Sequence, residues 1–367
     1  MSTNKMIKFG ITQGDINGVG YEVILKTLAD ARFVELCTPV VYGSAKVAAY
    51  HRKALDMEPV NFNIATSASQ VVDGQNNLIN CIDEEVKVEI GHVTEQVGPA
   101  AYAALERAVA DLEEGLIDVL VTAPINKHTM QSDDFAFPGH TEYLQERLAD
   151  EGEKAIMIML NDTLRVALVT GHMPISQVAS SLTQELIVEK LQIFEESLRH
   201  DFGIRKPRIA VLALNPHAGE NGLLGVEEAE IIKPAIDAVK SNGTLCFGPY
   251  AADGFFGTSH YKQFDGVLAM YHDQGLAPFK ALAMENGVNY TAGLAYVRTS
   301  PDHGTAYDIA GKGLASEESF RQAIYTALDI YRNRIIDDEA HASPLRRQYV
   351  DKSGDREVLD LSGDNDE

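Results

Sequence analysis

Leu164-Arg165-Val166-Ala167-Leu168-Val169-Thr170 is an apolar run of strand length that ends on Gly171-His172. The same design recurs twice: Arg208 to Leu214 leads into Asn215-Pro216-His217, and Gly266 to Tyr271 leads into His272-Asp273. Helical periodicity follows over Gln184 to His200 and Glu227 to Lys240. Working outward, Ile7 to Thr12 reads as a strand, Gly14 to Gly20 as a turn, and a helix begins near Tyr21. Further strand-like runs end at Tyr42, Ala123, Leu160 and Arg298, with helices over Ala100 to Leu112 and about Glu317 to Arg334. This repeated strand-then-helix order predicts an α/β fold on a mostly parallel sheet. The helix from Glu317 should stop before Asp337-Asp338-Glu339, and residues 351–367 read as a disordered acidic tail.

The 367 residues are 45% hydrophobic and carry a formal net charge of −23, a field that repels nucleic acid and anionic membrane alike. Neither is an expected partner, and a small anionic substrate would need a local basic pocket. Cys37, Cys81 and Cys246 have no short spacing, so neither a disulfide framework nor a Cys-based zinc site is predicted. With no apolar leader before Gly10 and no apolar run of spanning length, a cytoplasmic location is expected.

Three histidines just past strand ends stand where α/β sheets bind ligands. Converging imidazoles would make a zinc-like or other transition-metal site with an open position, the plainer alternative being three loop histidines with unrelated hydrogen bonds. Asp273, beside His272, could orient an imidazole or act in acid–base chemistry. Gly139-His140-Thr141 before a helix can offer an imidazole and a hydroxyl to an anion, or Thr141 can simply cap that helix. Lys280 and Arg298 are natural clamps for a phosphate or carboxylate. Gly14-x-x-x-Gly18-x-Gly20 lacks the Rossmann spacing, and neither a Walker lysine loop nor His-Glu-x-x-His occurs.

The chain resembles the 4-hydroxythreonine-4-phosphate dehydrogenases of pyridoxal phosphate biosynthesis, together with their phospho-threonate and phospho-erythronate dehydrogenase relatives. The resemblance rests on Gly10 to Gly20, Thr122-Ala-Pro-Ile-Asn-Lys127, Gly139-His-Thr-Glu142, Asn215-Pro-His-Ala-Gly-Glu220, Ala269-Met-Tyr-His-Asp-Gln-Gly275 and Arg298-Thr-Ser-Pro-Asp-His-Gly-Thr305. It implies that His172, His217 and His272 bind one divalent metal, zinc foremost, with magnesium, manganese or cobalt as alternatives. It places His140, Thr141, Lys280, Asn289 and Arg298 on the substrate, with Asp273 or Lys280 as acid–base groups. Residues 302–313 are also similar to the loop with which isocitrate and isopropylmalate dehydrogenases hold NAD or NADP, which puts His303, Gly304, Thr305, Ala306 and Asp308 on the nucleotide.

The resemblance further implies two α/β sub-domains around a cleft, isocitrate/isopropylmalate dehydrogenase-like. One comprises 1–125 plus 276–350 and the other 126–275. A homodimer with a shared active site is implied, and the expectation is that His172 and His217 of one subunit meet His272 of the other. The implied reaction is metal-dependent, NAD(P)-linked oxidation of a small phosphorylated hydroxy acid. The product is a β-keto acid that decarboxylates to 3-amino-2-oxopropyl phosphate. Alternatives are a 4-phospho-D-threonate or 4-phospho-D-erythronate dehydrogenase and a catalytically silent metal-binding homologue. Ile16, Asn17 and Tyr21 replace the family's Pro-Ala and Pro in the first glycine loop, which predicts a more mobile loop.

Overall fold

The computed structural model describes residues 6–83, 85–132, 135–283 and 285–342; the acidic tail at 351–367 lies outside the described residues. Twelve strands form one sheet: β1 (Lys8–Thr12), β2 (Thr38–Gly43), β3 (Asn63–Ala65), β4 (Asn77–Asn80), β5 (Val119–Thr122), β6 (Ile156–Leu160), β7 (Arg165–Leu168), β8 (Arg208–Leu212), β9 (Leu245–Tyr250), β10 (Gly266–Ala269), β11 (Val288–Ala292) and β12 (Arg298–Pro301). Their spatial order is β3-β4-β2-β1-β5-β12-β11-β6-β7-β10-β8-β9. The α/β reading therefore holds. Arg298 opens a strand rather than ending one, because Gly293, at φ +84°, turns the chain between β11 and β12.

The block from β3 to β12 is parallel, as is the block from β7 to β9. Between them β11 is antiparallel to both β12 and β6, and β6 is antiparallel to β7. Three successive reversals make the two parallel blocks run in opposite senses. In open α/β sheets such a change of strand topology is where ligands enter.

The strands read as continuous apolar runs because both faces are covered: Val119, Leu120 and Val121 of β5 and Ile209 to Leu212 of β8 are all fully buried. The helix Glu318–Ala342 packs on β5, β11 and β12, and Gln184–His200 packs on β6 and β11. The terminal helix runs past Asp337 and Asp338, where the sequence predicts a stop. His200 Nε2 stands 3.3 Å from Asp338 Oδ1 and His341 Nδ1 2.7 Å from Asp337 O, so polar partners accompany the acids through the last turns.

The first glycine loop, which the missing prolines predict to be mobile, is buried throughout, every residue from Ile11 to Gly20. Asn17, standing where the family has alanine, ties the loop down. Its side-chain amide donates to His92 O and Thr94 Oγ1 at 2.9 and 3.1 Å, and its oxygen accepts Glu89 N–H at 2.7 Å. Side-chain hydrogen bonds supply the order that proline would impose through φ.

Candidate active site

The floor of a cavity of about 270 Å³ is one face of the strands where the sheet reverses. Directly paired residues of antiparallel strands share a face, so Arg298 and Ser300 of β12, Thr291 and Asn289 of β11, and Met157 and Met159 of β6 stand together. Thr122, at the end of β5, completes the floor.

Arg298 is only 3% exposed. Its Nε and Nη2 donate to Thr122 Oγ1 at 3.1 and 2.6 Å, and its Nη1 to Thr291 Oγ1 at 3.2 Å. Among the described residues no carboxylate lies within ion-pair distance of it. Burial pushes the guanidinium down to about 9. A buried cation held by neutral hydroxyls alone lacks the counter-charge that its desolvation demands, and an anionic ligand supplies one.

Around this group the walls are polar. His140 and Thr141 open the helix His140–Leu148 and line the cavity, as do Lys127 and Lys280. Burial, then the charges of Arg298 and Lys127, hold the His140 imidazole well below its ordinary pKa, so it is neutral. Lys280 Nζ donates to Asp302 Oδ1 at 2.8 Å and to Asp302 O at 3.3 Å. Four buried atoms on lining residues have no protein partner: His140 Nε2, Glu142 Oε2, Asn289 Oδ1 and His303 Nε2. Buried polar atoms left unpaired are costly, and their convergence on one cavity marks a ligand site.

His172 and His272 complete the lining with ring centroids 5.6 Å apart. Each ring presents Nδ1 to a carboxylate, His172 to Glu142 Oε1 at 3.5 Å and His272 to Asp273 Oδ1 at 2.7 Å. A carboxylate at Nδ1 fixes that nitrogen as the protonated one and leaves Nε2 free to ligate. Two imidazole donors therefore suit a divalent metal, but among the described residues no cluster of three or more His, Cys, Asp or Glu donors forms.

His217 does not join the pair. It starts a left-handed turn in which His217, Ala218, Gly219, Glu220 and Asn221 all have φ between +43° and +79°. Such a run is disfavoured for L-residues, and buried Glu228 holds it. Glu228 Oε1 accepts the N–H groups of Leu214 and Asn215, and its Oε2 accepts Asn215 Nδ2. The turn presents His217 to solvent. Within the chain His272 lies beside His172, because β7 and β10 are adjacent parallel strands, whereas the expectation grouped His172 with His217 and set His272 in the other subunit.

The segment from His303 to Asp308 follows β12, and His303 and Gly304 line the cavity. A Cβ on Gly304 would meet nothing within 4 Å, so its backbone is open to a ligand. On Gly18, by contrast, a Cβ would come 2.7 Å from Thr305 O. The first loop's glycine admits the protein's own backbone. Sequence reasoning gave no role to Lys127, Glu142 or Asp302, though each sits beside a residue it did single out.

An α/β protein with a cationic cavity, a histidine pair and an open glycine loop at the reversal of its sheet has the equipment of an enzyme that acts on small anions. The family described as "Pyridoxal phosphate biosynthetic protein PdxA" matches residues 35–327, and the chain belongs to it. A 4-hydroxythreonine-4-phosphate dehydrogenase of Bacteroides thetaiotaomicron is 62% identical over 361 residues, covering 98% of this chain and 98% of that protein. One from Sulfurihydrogenibium is 40% identical over 90% of this chain and its own full length, 100%. The crystal structure of the Klebsiella pneumoniae 4-hydroxythreonine-4-phosphate dehydrogenase superposes with a TM-score of 0.76 at 35% identity, covering 90% of this chain and 99% of that one.

Proposed function

We propose that this chain oxidises 4-hydroxythreonine 4-phosphate with NAD or NADP to a β-keto acid that loses CO₂ to give 3-amino-2-oxopropyl phosphate, a step of vitamin B6 biosynthesis. The observation that carries the reading is the unpaired buried Arg298 in a cavity shared with Lys127, Lys280 and the His172–His272 pair. The names of the Bacteroides and Klebsiella relatives support the same substrate.

Arg298, Lys280 and Lys127 hold the two anionic ends of the substrate, with His140, Thr141 and Asn289 adding neutral hydrogen bonds. His172 and His272 hold a divalent metal, zinc before magnesium, manganese or cobalt. When bound, that metal lowers the pKa of a secondary alcohol and stabilises enolate charge. A bound nicotinamide would supply the hydride acceptor, and His303, Gly304, Thr305, Ala306 and Asp308 would hold its dinucleotide. Lys280, aimed by Asp302, delivers the proton to carbon after CO₂ leaves. Asp273 keeps the His272 ring in its ligating orientation.

His217 of the partner subunit is the third metal donor, in a cytoplasmic homodimer with a shared site. Leu223 at 79% exposure, with Leu224 and Val226 beside it, supports an interface on the loop that carries His217. Met173, Ile175 and Tyr271 line a groove next to the histidine pair that could receive such a loop. We place the two halves on either side of the cleft at 1–125 plus 276–350 and at 126–275, with 343–350 lying outside the described residues. Turnover of 4-hydroxythreonine 4-phosphate against 4-phospho-D-threonate and 4-phospho-D-erythronate, followed as nicotinamide reduction, tests the assignment. Higher kcat/KM on a hydroxyl acid would transfer the reading to that alternative, and no turnover of any would leave a silent homologue.

A further inference from the structure

The Gly14–Gly20 loop is neither a Rossmann cradle nor part of the cavity lining, yet it is wholly buried and packs against the His303–Asp308 segment. Val19 N–H donates to Thr305 O at 2.9 Å. Two residues on, the Tyr307 hydroxyl donates to Asp15 Oδ2 at 2.5 Å and accepts from Asn126 Nδ2 at 3.0 Å. Asp15 is itself fixed: its N–H donates to Pro124 O at 2.9 Å and its Oδ1 accepts Asn17 N–H at 2.9 Å.

Between these two anchors Ala306 has φ +44°, a left-handed conformation that a residue with a Cβ adopts only when its surroundings impose it. Thr305 is held on one side and Tyr307 on the other, so releasing either lets Ala306 relax to negative φ and carry Gly304 with it. We infer that Asp15, Tyr307 and Asn126 form a latch that holds the His303–Asp308 loop in its nucleotide-receiving shape, with the first glycine loop as its buttress. This rests on the assignment of that loop to the dinucleotide. Tyr307 and Asp15 are positioning residues, acting through the backbone of Gly304 and Thr305.

The chemistry of the pair fits a latch. A phenol donating to a carboxylate is a charge-assisted hydrogen bond, about twice as strong as a neutral one, and the Asp15 side chain is shielded from water. Asn126 extends the connection, because its Oδ1 caps the short helix Lys127–Met130 by accepting His128 N–H at 2.9 Å. The nucleotide loop and the segment that carries Lys127 into the substrate cavity are thus tied to one hydroxyl.

Titration of NADH and NADPH by fluorescence into the full-length, metal-loaded protein tests the latch without turnover. Tyr307→Phe should weaken the tighter-bound nucleotide by about ten- to a hundredfold, the range for losing a hydrogen bond to a charged group. Metal retention should stay within about twofold. Adding Ala306→Gly to Tyr307→Phe should recover part of the affinity, because glycine takes the left-handed conformation without a Cβ penalty. Should Tyr307→Phe fold poorly, Asp15→Asn, which keeps an acceptor oxygen but removes the charge, should give a smaller loss in the same direction. Unchanged nucleotide affinity in both variants overturns the latch. Gly304→Val separates the two failures: if it weakens binding while the latch variants do not, the latch alone is wrong, and if it has no effect, the loop is not the nucleotide site.

Discussion

His172 and His272 face one another with ring centroids 5.6 Å apart in a single chain. The sheet causes this: Val166 of β7 lies beside Val267 of β10, and the register runs on through Leu168 and Ala269, so the two strands release their chains side by side. His217 leaves β8, which pairs with the other edge of β10, but its left-handed turn carries it elsewhere. Within one chain, then, the described residues bring together a pair of imidazoles, and His217 stands apart from it.

Replacing His172 or His272 by Ala should lower metal affinity by about two orders of magnitude or more, since one imidazole of the pair is lost from the proposed three-histidine set. Elemental analysis after gel filtration reads this directly, with circular dichroism to confirm the fold. Retention of stoichiometric metal by His272→Ala would remove it from the ligand set.

Mixed dimers locate the third donor. A His172→Ala subunit paired with a His217→Ala subunit builds one site with both defects and one with neither. Random reassortment of equal amounts should therefore restore roughly a quarter of wild-type activity. Pairing His172→Ala with His272→Ala should restore none, because those defects fall in different sites. The reverse pattern would reinstate the division in which His272 stands alone.

Arg298 sets stability against function. Arg298→Met keeps length and removes an unpaired buried charge, so the ligand-free protein should gain about 1–3 kcal/mol in denaturant unfolding while turnover is lost. Inorganic phosphate should raise the Tm of the native protein but not of this variant. Arg298→Lys should also lose most activity, since an ammonium cannot span Thr122 and Thr291 while facing an anion. A destabilised Arg298→Met protein that still responds to phosphate would refute the assigned anion site.

Asp302→Asn should lower kcat/KM by about tenfold, because an amide holds the Lys280 ammonium less well than a carboxylate 2.8 Å away. Asp302→Glu should restore less than half of the loss, the longer arm displacing Nζ. Steady-state kinetics on the phosphorylated substrate would show it, and an Asp302→Asn enzyme with unchanged kcat/KM would leave Lys280 independent of its partner.

Stability should fall as pH drops below about 6.5. Burial holds His51 and His140 below their ordinary pKa, so the folded state binds fewer protons than the unfolded chain there. Their contribution is complete above the unfolded value near 6.5 and is lost as pH falls toward the folded values. His51 donates from Nε2 to Ile16 O at 2.7 Å, which His51→Gln can imitate. Urea midpoints measured against pH should slope less in that variant, and an identical slope would clear His51 of the effect.

Composition and periodicity by themselves determined the α/β class, the strands that end near His172, His217 and His272, and the acidic charge that makes Arg298 and Lys280 conspicuous. These are local properties: apolar runs and helical repeats are written in consecutive residues. Only the tertiary structure decided which groups meet. The reversal at β11 and β6 stacks Arg298, Asn289 and Met159 on one face, and strand adjacency joins His172 to His272. The left-handed turn at His217 and the burial of the Gly14–Gly20 loop were equally hidden, since both depend on distant partners, Glu228 for one and Thr305 with Tyr307 for the other. Sequence spacing carries no record of which distant hydrogen bonds outweigh a local backbone preference, so a loop that lacks its family's prolines reads as mobile until the side chains that hold it are seen.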